Sequence, residues 1–294
     1  MGIPLQKKSM SMEGNKNIKI AAIAITYYPK VEEVMRNILQ YIQSVDHLII
    51  WENTPINERE QYRIEIPEYR YKISYRSINK NAGIAYPLNQ MAIWAKQNDY
   101  THILSMDQDS WWVNFEEFVQ SVSNYPDNRH SILAPNVNRE WNDSADEALI
   151  VDDIIISGTV WPLHVIDRVG WFDEKLFVDT VDIDFSIRAN KQGIKTVVFT
   201  HSYLIQQYGY PAKSKLFKWT SSNYSVERTY NIVKNHLILW RRYKKDFPKA
   251  QKKLIVKKYI LYRLIKIVLI EKEKIKKVFA VMRGVFDGLS KPMQ

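Results

Sequence analysis

Residues 101–110 read THILSMDQDS, and the rest of the chain is arranged around them. Ile103, Leu104 and Met106 make a short apolar, β-prone run that stops at Asp107-Gln108-Asp109-Ser110. A buried strand ending in two acids one residue apart delivers both carboxylates to the mouth of a sheet. Open α/β sheets bind ligands just beyond the carboxyl ends of their strands. Two carboxylates there repel each other unless a cation lies between them. Hard divalent cations take such oxygen ligands and usually share them with substrate phosphates. The stretch therefore points to a metal–diphosphate site built on Asp107 and Asp109. A D-x-D is short and common, however, and a solvated acidic turn is the favoured reading when it stands alone.

The flanking segments change that balance. Residues 18–26, IKIAAIAIT, predict a buried parallel strand, broken by Tyr27-Tyr28-Pro29. Helical spacing of Val31, Val34, Met35, Ile38, Leu39 and Ile42 follows. HLIIW at 47–51 predicts a second strand, ending in Glu52-Asn53-Thr54-Pro55, and 73–77 a third. Gly83, in NKNAGIA at 79–85, permits a turn or a close backbone approach to a ligand. Residues 86–97 read as a helix with Pro87 in its first turn. Strand, helix and strand with polar residues at each strand end is the opening of a nucleotide-binding α/β unit.

Beyond the D-x-D, the pattern predicts a helix over 114–123 capped by Asn114, a strand over 131–137 and a polar loop over 138–150. A short helix over 164–169, an amphipathic helix over 182–192 stopped by Gly193 and a late strand over 194–200 complete it. Trp111, Trp112, Trp161 and Trp171 surround the expected cleft in sequence. Aromatic faces suit sugar rings, although each single Trp is more commonly core. After Gly209 the chain turns helical and basic, over 223–243 and 251–283.

Composition sets the outer limits. The 294 residues are 46% hydrophobic and 25% charged, as in ordinary globular proteins. The absence of cysteine excludes disulfides and thiolate metal sites. Residues 1–17 lack the apolar segment of a signal peptide and read as a disordered tail, and no transmembrane helix is expected. The net charge of +10 lies mainly in the C-terminal part and calls for a polyanionic partner.

In order and spacing, AIAITYYP (22–29), IIWENTP (49–55), NAGIAYPLN (81–89), SMDQDS (105–110), SGTVWP (157–162), FVDTVDIDFSIRA (177–189) and YNIVKNHLILWRRY (230–243) resemble glycosyltransferase family 2 across roughly residues 18–243. The DQDS form, VDTVD and YNIVKN resemble its bacterial rhamnosyltransferase branch. The resemblance implies an α/β GT-A fold: a Rossmann-like nucleotide-binding mixed sheet flanked by helices. It implies a domain over 18–215, with a nucleotide-sugar half at 18–110 and an acceptor half at 111–215. A helical, basic extension over 216–294 follows.

The same resemblance implies site roles. Thr26 and Tyr27 would line the nucleotide site. Glu52, where the family usually has Asp, would hold the base or ribose, with Asn53 beside it. Asn81 and Gly83 would sit by the nucleoside. Asp107 and Asp109 would bind Mg²⁺ or Mn²⁺ and the diphosphate, with Asp109 nearest the metal. Asp182 falls on the catalytic base, although Val181 replaces the acid that usually precedes it. Gly158, Thr159, Trp161, Asp179, Asp184 and Arg188 would form the acceptor side, and Asp179 is a rival for the base. Where the family often carries a metal-ligating His, this chain has Gln206, with His201 five residues earlier.

The implied reaction is inverting transfer of a sugar to a saccharide or lipid-linked saccharide, with dTDP-L-rhamnose favoured as donor and a UDP-sugar as the alternative. A degenerate nucleotide-sugar-binding protein is a further alternative, kept open by Val181 and Gln206. An aspartate-nucleophile phosphatase also carries D-x-D, but normally after its first strand. The implied location is cytoplasmic, or peripheral on the cytoplasmic face of a membrane. The basic C-terminal helices suit an anionic membrane surface or the packing of a second subunit; no recognised motif supports nucleic acid as the partner.

Overall fold

The computed structural model describes residues 3–4, 18–141, 144–209, 211–213, 219–245 and 249–290. They fall into two compact units. The first comprises Met1–Phe177 and Val181–Gln206, the second Val178–Thr180 and Gln207–Gln294.

The first unit is one mixed sheet covered by helices. Its strands are β1 (Ile3–Pro4), β2 (Ile20–Thr26), β3 (His47–Glu52), β4 (Ile73–Arg76), β5 (His102–Asp107), β6 (Ser110–Trp112), β7 (Ile132–Val137), β8 (Ala148–Val151), β9 (Val160–Pro162) and β10 (Thr196–Gln206). Their order is β1-β8-β10-β7-β9-β5-β2-β3-β4, with β6 also paired to β10. β4, β3, β2 and β5 are mutually parallel, so Arg76, Glu52, Thr26 and Asp107 reach one edge together. Antiparallel β9 separates this parallel half from β7 and β10.

The parallel strands are apolar on both faces, as strands covered on both sides must be. Ile20, Ala22, Ala24, Leu48, Ile50, Leu104 and Met106 share a core with α1 (Val31–Leu39) and α3 (Phe115–Asn124). On α1, Val34 and Ile38 supply the buried stripe; on α3, Phe115, Phe118 and Val122 do. α2 (Ala85–Gln97) lies against β2 and β5, and α4 (Leu163–Val169) and α5 (Val181–Lys191) complete the helical cover.

Three local expectations are corrected. Residues 148–150, at the end of the expected loop, form β8 together with Val151; a four-residue strand beside acidic residues carries too little periodicity to be read. β10 continues to Gln206, well past residue 200, through a register shift between Phe199 and Tyr203. Asn114 stands at the N-cap of α3, as expected, but its side chain makes no capping hydrogen bond to the helix backbone. Its Oδ1 accepts from the Tyr203 N–H at 3.0 Å and its Nδ2 donates to the His201 carbonyl at 3.1 Å, tying the helix start to β10. The tail expected over 1–17 lies outside the described residues except at β1, which pairs with Ile150 and Leu149.

The second unit holds a two-strand ribbon, β11 (Ala212–Lys213) and β12 (Thr220–Ser221), then α6 (Val226–Arg242), α7 (Lys249–Leu254), a π-helical turn (Ile255–Leu261), α8 (Tyr262–Leu269) and α9 (Lys274–Ser290). Ser225 caps α6 by accepting from the Arg228 N–H at 3.1 Å. α9 packs on α6 through Gly284 and Gly288. A Cβ at Gly284 would come within 2.9 Å of the Tyr230 carbonyl, and one at Gly288 within 2.8 Å of the Leu237 Cβ. No described helix is long and apolar enough to cross a membrane.

Each unit buries a histidine in its neutral form. His102, on β5, and His236, stacked on Tyr259, are both pushed down to about 4, chiefly by burial. His236 Nδ1 lies 2.8 Å from the Ile232 carbonyl. Above the ordinary value of 6.5 both rings are neutral whether folded or unfolded, and they cost nothing. As pH falls from 6.5 towards 4 the unfolded chain takes up protons that the folded chain refuses, so stability declines. Thermal melts across this window are expected to show falling midpoints, with a shallower fall in His102→Gln than in the wild type.

Candidate active site

The site lies at the carboxyl ends of the parallel strands, where backbone groups freed from the sheet are held by side chains. Asp107 ends β5, and Ser110 opens β6 opposite Gln206 of β10. This pairing brings the Gln206 amide to the acids. Its Nε2 donates to Asp107 Oδ2 at 2.8 Å and reaches Asp109 Oδ1 at 3.4 Å. Its Oε1 is buried and has no hydrogen-bond partner among the described residues. One amide N–H group thus eases the repulsion of two carboxylates, while an oxygen beside them stays unsatisfied.

Gln108, between the two acids, fastens the motif to the end of β2. Its Oε1 accepts from the Tyr27 N–H at 2.7 Å, and its Nε2 donates to the Tyr27 carbonyl at 3.1 Å. Behind the motif, Ser157 Oγ accepts from the Asp107 N–H at 3.1 Å and donates to Ser110 Oγ at 2.8 Å. Sequence reasoning marks both stretches, DQDS and SGT, but misses the anchoring contacts of Gln108 and Ser157, which no residue pattern announces.

The β3 end and the 81–83 loop form a second wall. Asn53 is buried, and its Nδ2 donates to the Gly83 carbonyl at 2.8 Å. Its Oδ1 accepts from the Ala82 N–H at 2.9 Å and from Trp51 Nε1 at 3.1 Å. Asn53 is thereby committed to holding the loop in place. Asn81 Oδ1 accepts from the Gly83 N–H at 2.9 Å and closes the turn. Gly83 has φ +71°, and a Cβ there would lie 2.3 Å from the Phe177 carbonyl. Its close approach is to the chain's own backbone, where Ile84 N–H donates to that carbonyl at 2.7 Å. Thr26 is buried and Tyr27 exposed. Glu52 is half-buried, 3.8 Å from Arg59; burial pushes its carboxyl up, and the nearby Arg59 and Arg63 oppose that.

Asp182 stands in the first turn of α5, with its Oδ1 accepting from the Ile183 N–H at 2.9 Å. An acid there also stabilises the positive end of the helix dipole. The segment before it is strained: Phe177, Asp179 and Thr180 all have positive φ. Such non-glycine positions cost roughly 1–3 kcal/mol each and gather at functional loops. Asp179 belongs to the second unit, where its Oδ1 accepts from Arg228 at 3.2 Å. Burial raises its pKa, with Arg228 and Arg263 opposing.

Most of the expected acceptor side proves internal. Trp161 is fully buried, donating from Nε1 to Ser105 Oγ at 2.8 Å and packing edge-on against Phe172 and Phe185. Gly158 donates its N–H to the Ser105 carbonyl at 2.7 Å, and Thr159 is buried with its carbonyl accepting from Ser105 N–H at 3.0 Å. Asp184 is buried and accepts from Arg188 Nε at 2.9 Å. Arg188 also donates to the carbonyls of Val169 and Trp171, closing the end of α4. Trp112 is core as well, whereas Trp171 is 48% exposed, with Lys96 over its ring.

Among the described residues, no three His, Asp or Glu side chains gather into a metal cluster. At the D-x-D the Gln206 amide turns its N–H group to the two carboxylates, and those carboxylates are the oxygen donors that suit a hard divalent cation. His201 is exposed on β10.

The parallel half-sheet, its antiparallel extension and the acids at the strand ends define the class: the fold is GT-A, a glycosyltransferase fold. No protein-family model matches the chain. Among known proteins, the dTDP-rhamnosyl transferase RfbF of Shigella flexneri is 24% identical over 250 residues, spanning 77% of this chain and 81% of that protein. Among solved structures, the mannosyltransferase PcManGT of Pyrobaculum calidifontis, in complex with GDP-Man and Mn²⁺, superposes with a TM-score of 0.58 at 9% identity. That match covers 98% of this chain and 79% of PcManGT. A fragment of S. aureus TarS in complex with UDP-GlcNAc gives 0.52 at 15% identity, over 92% of this chain and 80% of that one. GalNAc-T7 with UDP, GalNAc and Mn²⁺ gives 0.55 at 9% identity, over 82% of this chain. This chain spans about half the length of GalNAc-T7, 54% of it.

Proposed function

We propose that this chain is an inverting glycosyltransferase of family 2 that moves L-rhamnose from dTDP-L-rhamnose onto a saccharide or lipid-linked saccharide in cell-surface polysaccharide synthesis. The observation that carries the reading is the D-x-D at the end of β5, tied to the β2 end by Gln108 and to β10 by Gln206. The likeness to a dTDP-rhamnosyl transferase supports the choice of donor. Two of the solved structures contain UDP or UDP-GlcNAc, which supports transfer from a UDP-sugar as the second reading.

On this reading Thr26, Tyr27, Glu52, Asn81 and Gly83 surround the nucleoside, with Asn53 keeping the 81–83 loop in register. Asp107 and Asp109 are the groups that would hold Mg²⁺ or Mn²⁺. The cation would act as a Lewis acid that stabilises the departing nucleoside diphosphate. Asp182 accepts the proton of the acceptor hydroxyl as that oxygen attacks the anomeric carbon from the face opposite the leaving group. The carboxylates divide the work: one pair serves the leaving side, and Asp182 serves the attacking side. On this reading the protein acts in the cytoplasm or at the cytoplasmic face of the membrane, where nucleotide-sugar donors would reach it.

The donor is tested by thermal shift with nucleoside diphosphates and nucleotide sugars, each with and without Mg²⁺ or Mn²⁺. Ligands that bind only the folded chain raise its midpoint by mass action. The largest shifts are expected with dTDP and dTDP-rhamnose, enlarged by the cation. Larger shifts with UDP species would move the assignment to the second reading, and no shift with any donor would refute both.

A further inference from the structure

The second unit carries an unusual outer surface. Of the large hydrophobic side chains exposed among the described residues, twelve fall within 254–289 and ten in all the rest. On α9, Ile275, Phe279, Met282, Phe286 and Leu289 are exposed by 75%, 66%, 60%, 70% and 53%. Their 4-3-4-3 spacing puts them within an arc of about 80° on one helix face, along about 20 Å of helix. The opposite face is already used: Ala280, Val281, Gly284 and Gly288 are buried, the two glycines against α6. Leu254, Leu261, Ile265 and Val268 add exposed apolar side chains on α7, the π turn and α8.

Charge identifies the occupant. Residues 249–290 hold twelve Lys and Arg against three acids, close to the chain's whole net charge of +10. Two of the three acids are buried: Glu271 between Arg263 and Lys277, and Asp287 against Tyr230. Lys253, Lys257, Lys258, Lys266, Lys272 and Lys274 are exposed. Residues 249–270 contain no acid. A second copy docked here would bring two cationic faces together, which opposes association. An anionic bilayer offers acyl chains for the apolar stripe and headgroups for the lysines.

We propose that α7–α9 dock this chain on an anionic lipid bilayer, with α9 lying in the plane of the interface. The proposal is independent of the sugar-transfer reading, because it needs no nucleotide. The test is co-sedimentation of the full chain with phosphatidylcholine vesicles, with and without phosphatidylglycerol, at low and high salt. Binding is expected only with phosphatidylglycerol and is expected to weaken with salt. It should fall by at least about tenfold in the double variants Phe279→Asp/Phe286→Asp and Lys257→Glu/Lys258→Glu, with melting temperature and nucleotide binding unchanged. Equal sedimentation of wild type and variants would overturn the proposal. So would a wild-type chain that ignores the vesicles but forms a dimer by analytical ultracentrifugation that Phe279→Asp/Phe286→Asp abolishes.

Discussion

Replacing Asp182 by Asn is expected to slow sugar transfer by roughly two to four orders of magnitude, the usual contribution of a positioned general base. Donor affinity should change little, since the assigned donor contacts lie at the β2, β3 and β5 ends. Asn keeps the oxygen that accepts from the Ile183 N–H and so keeps the start of α5. The lost charge at the helix end costs about 0.3–1 kcal/mol, too little to unfold a domain. A fall in kcat with an unchanged donor Kd is therefore the signature. Asp179→Asn is the contrasting variant. Asp179 is buried against Arg228, so its loss should lower the melting temperature first. Full turnover in Asp182→Asn would remove Asp182 as the base.

Replacing Glu271 by Ala should destabilise the second unit by about 3–5 kcal/mol, the cost of leaving buried charge without its partner. Glu271 is 2% exposed and serves two cations: Arg263 donates to Oε1 at 2.7 Å and Lys277 to Oε2 at 2.8 Å. Arg263 also donates to Thr229 Oγ1 at 2.8 Å, and Lys277 to Asn223 Oδ1 at 2.7 Å. One carboxylate thus joins the β12 end, α6, α8 and α9. The truncation leaves Arg263 and Lys277 sharing a buried space with no anion between them. Urea unfolding should show a lower midpoint, and Glu271→Gln should recover part of the loss by retaining shape and one acceptor.

The parallel half of the fold is legible because its strands are continuous apolar runs ending in polar residues, as in residues 18–26 and 47–52. The D-x-D is legible for the same reason. What the sequence hides are contacts made by residues with no periodic signal. Gln108 and Ser157 each act through a pair of local hydrogen bonds, and the reach of β10 to Gln206 depends on a register shift that breaks the strand pattern. Trp161, Asp184 and Arg188 lie in motifs with functional neighbours, which in sequence points them towards an acceptor. Burial, which one sequence does not display, turns Trp161 and Asp184 inward, and Arg188 is tied to Asp184 and the end of α4. The exposed stripe on α9 is hidden too, since a helix with apolar residues all round reads alike whichever side is packed.

The most direct measurement is titration calorimetry of dTDP-rhamnose, with Mg²⁺, into the wild-type chain and into Asp109→Ala. Measurable binding to the wild type is predicted, weaker without the cation, with at least about a tenfold loss in the variant, as expected when a charged ligand contact is removed. Equal affinity in the two proteins, with the same response to Mg²⁺, would contradict the assignment of the D-x-D as the cation and diphosphate site.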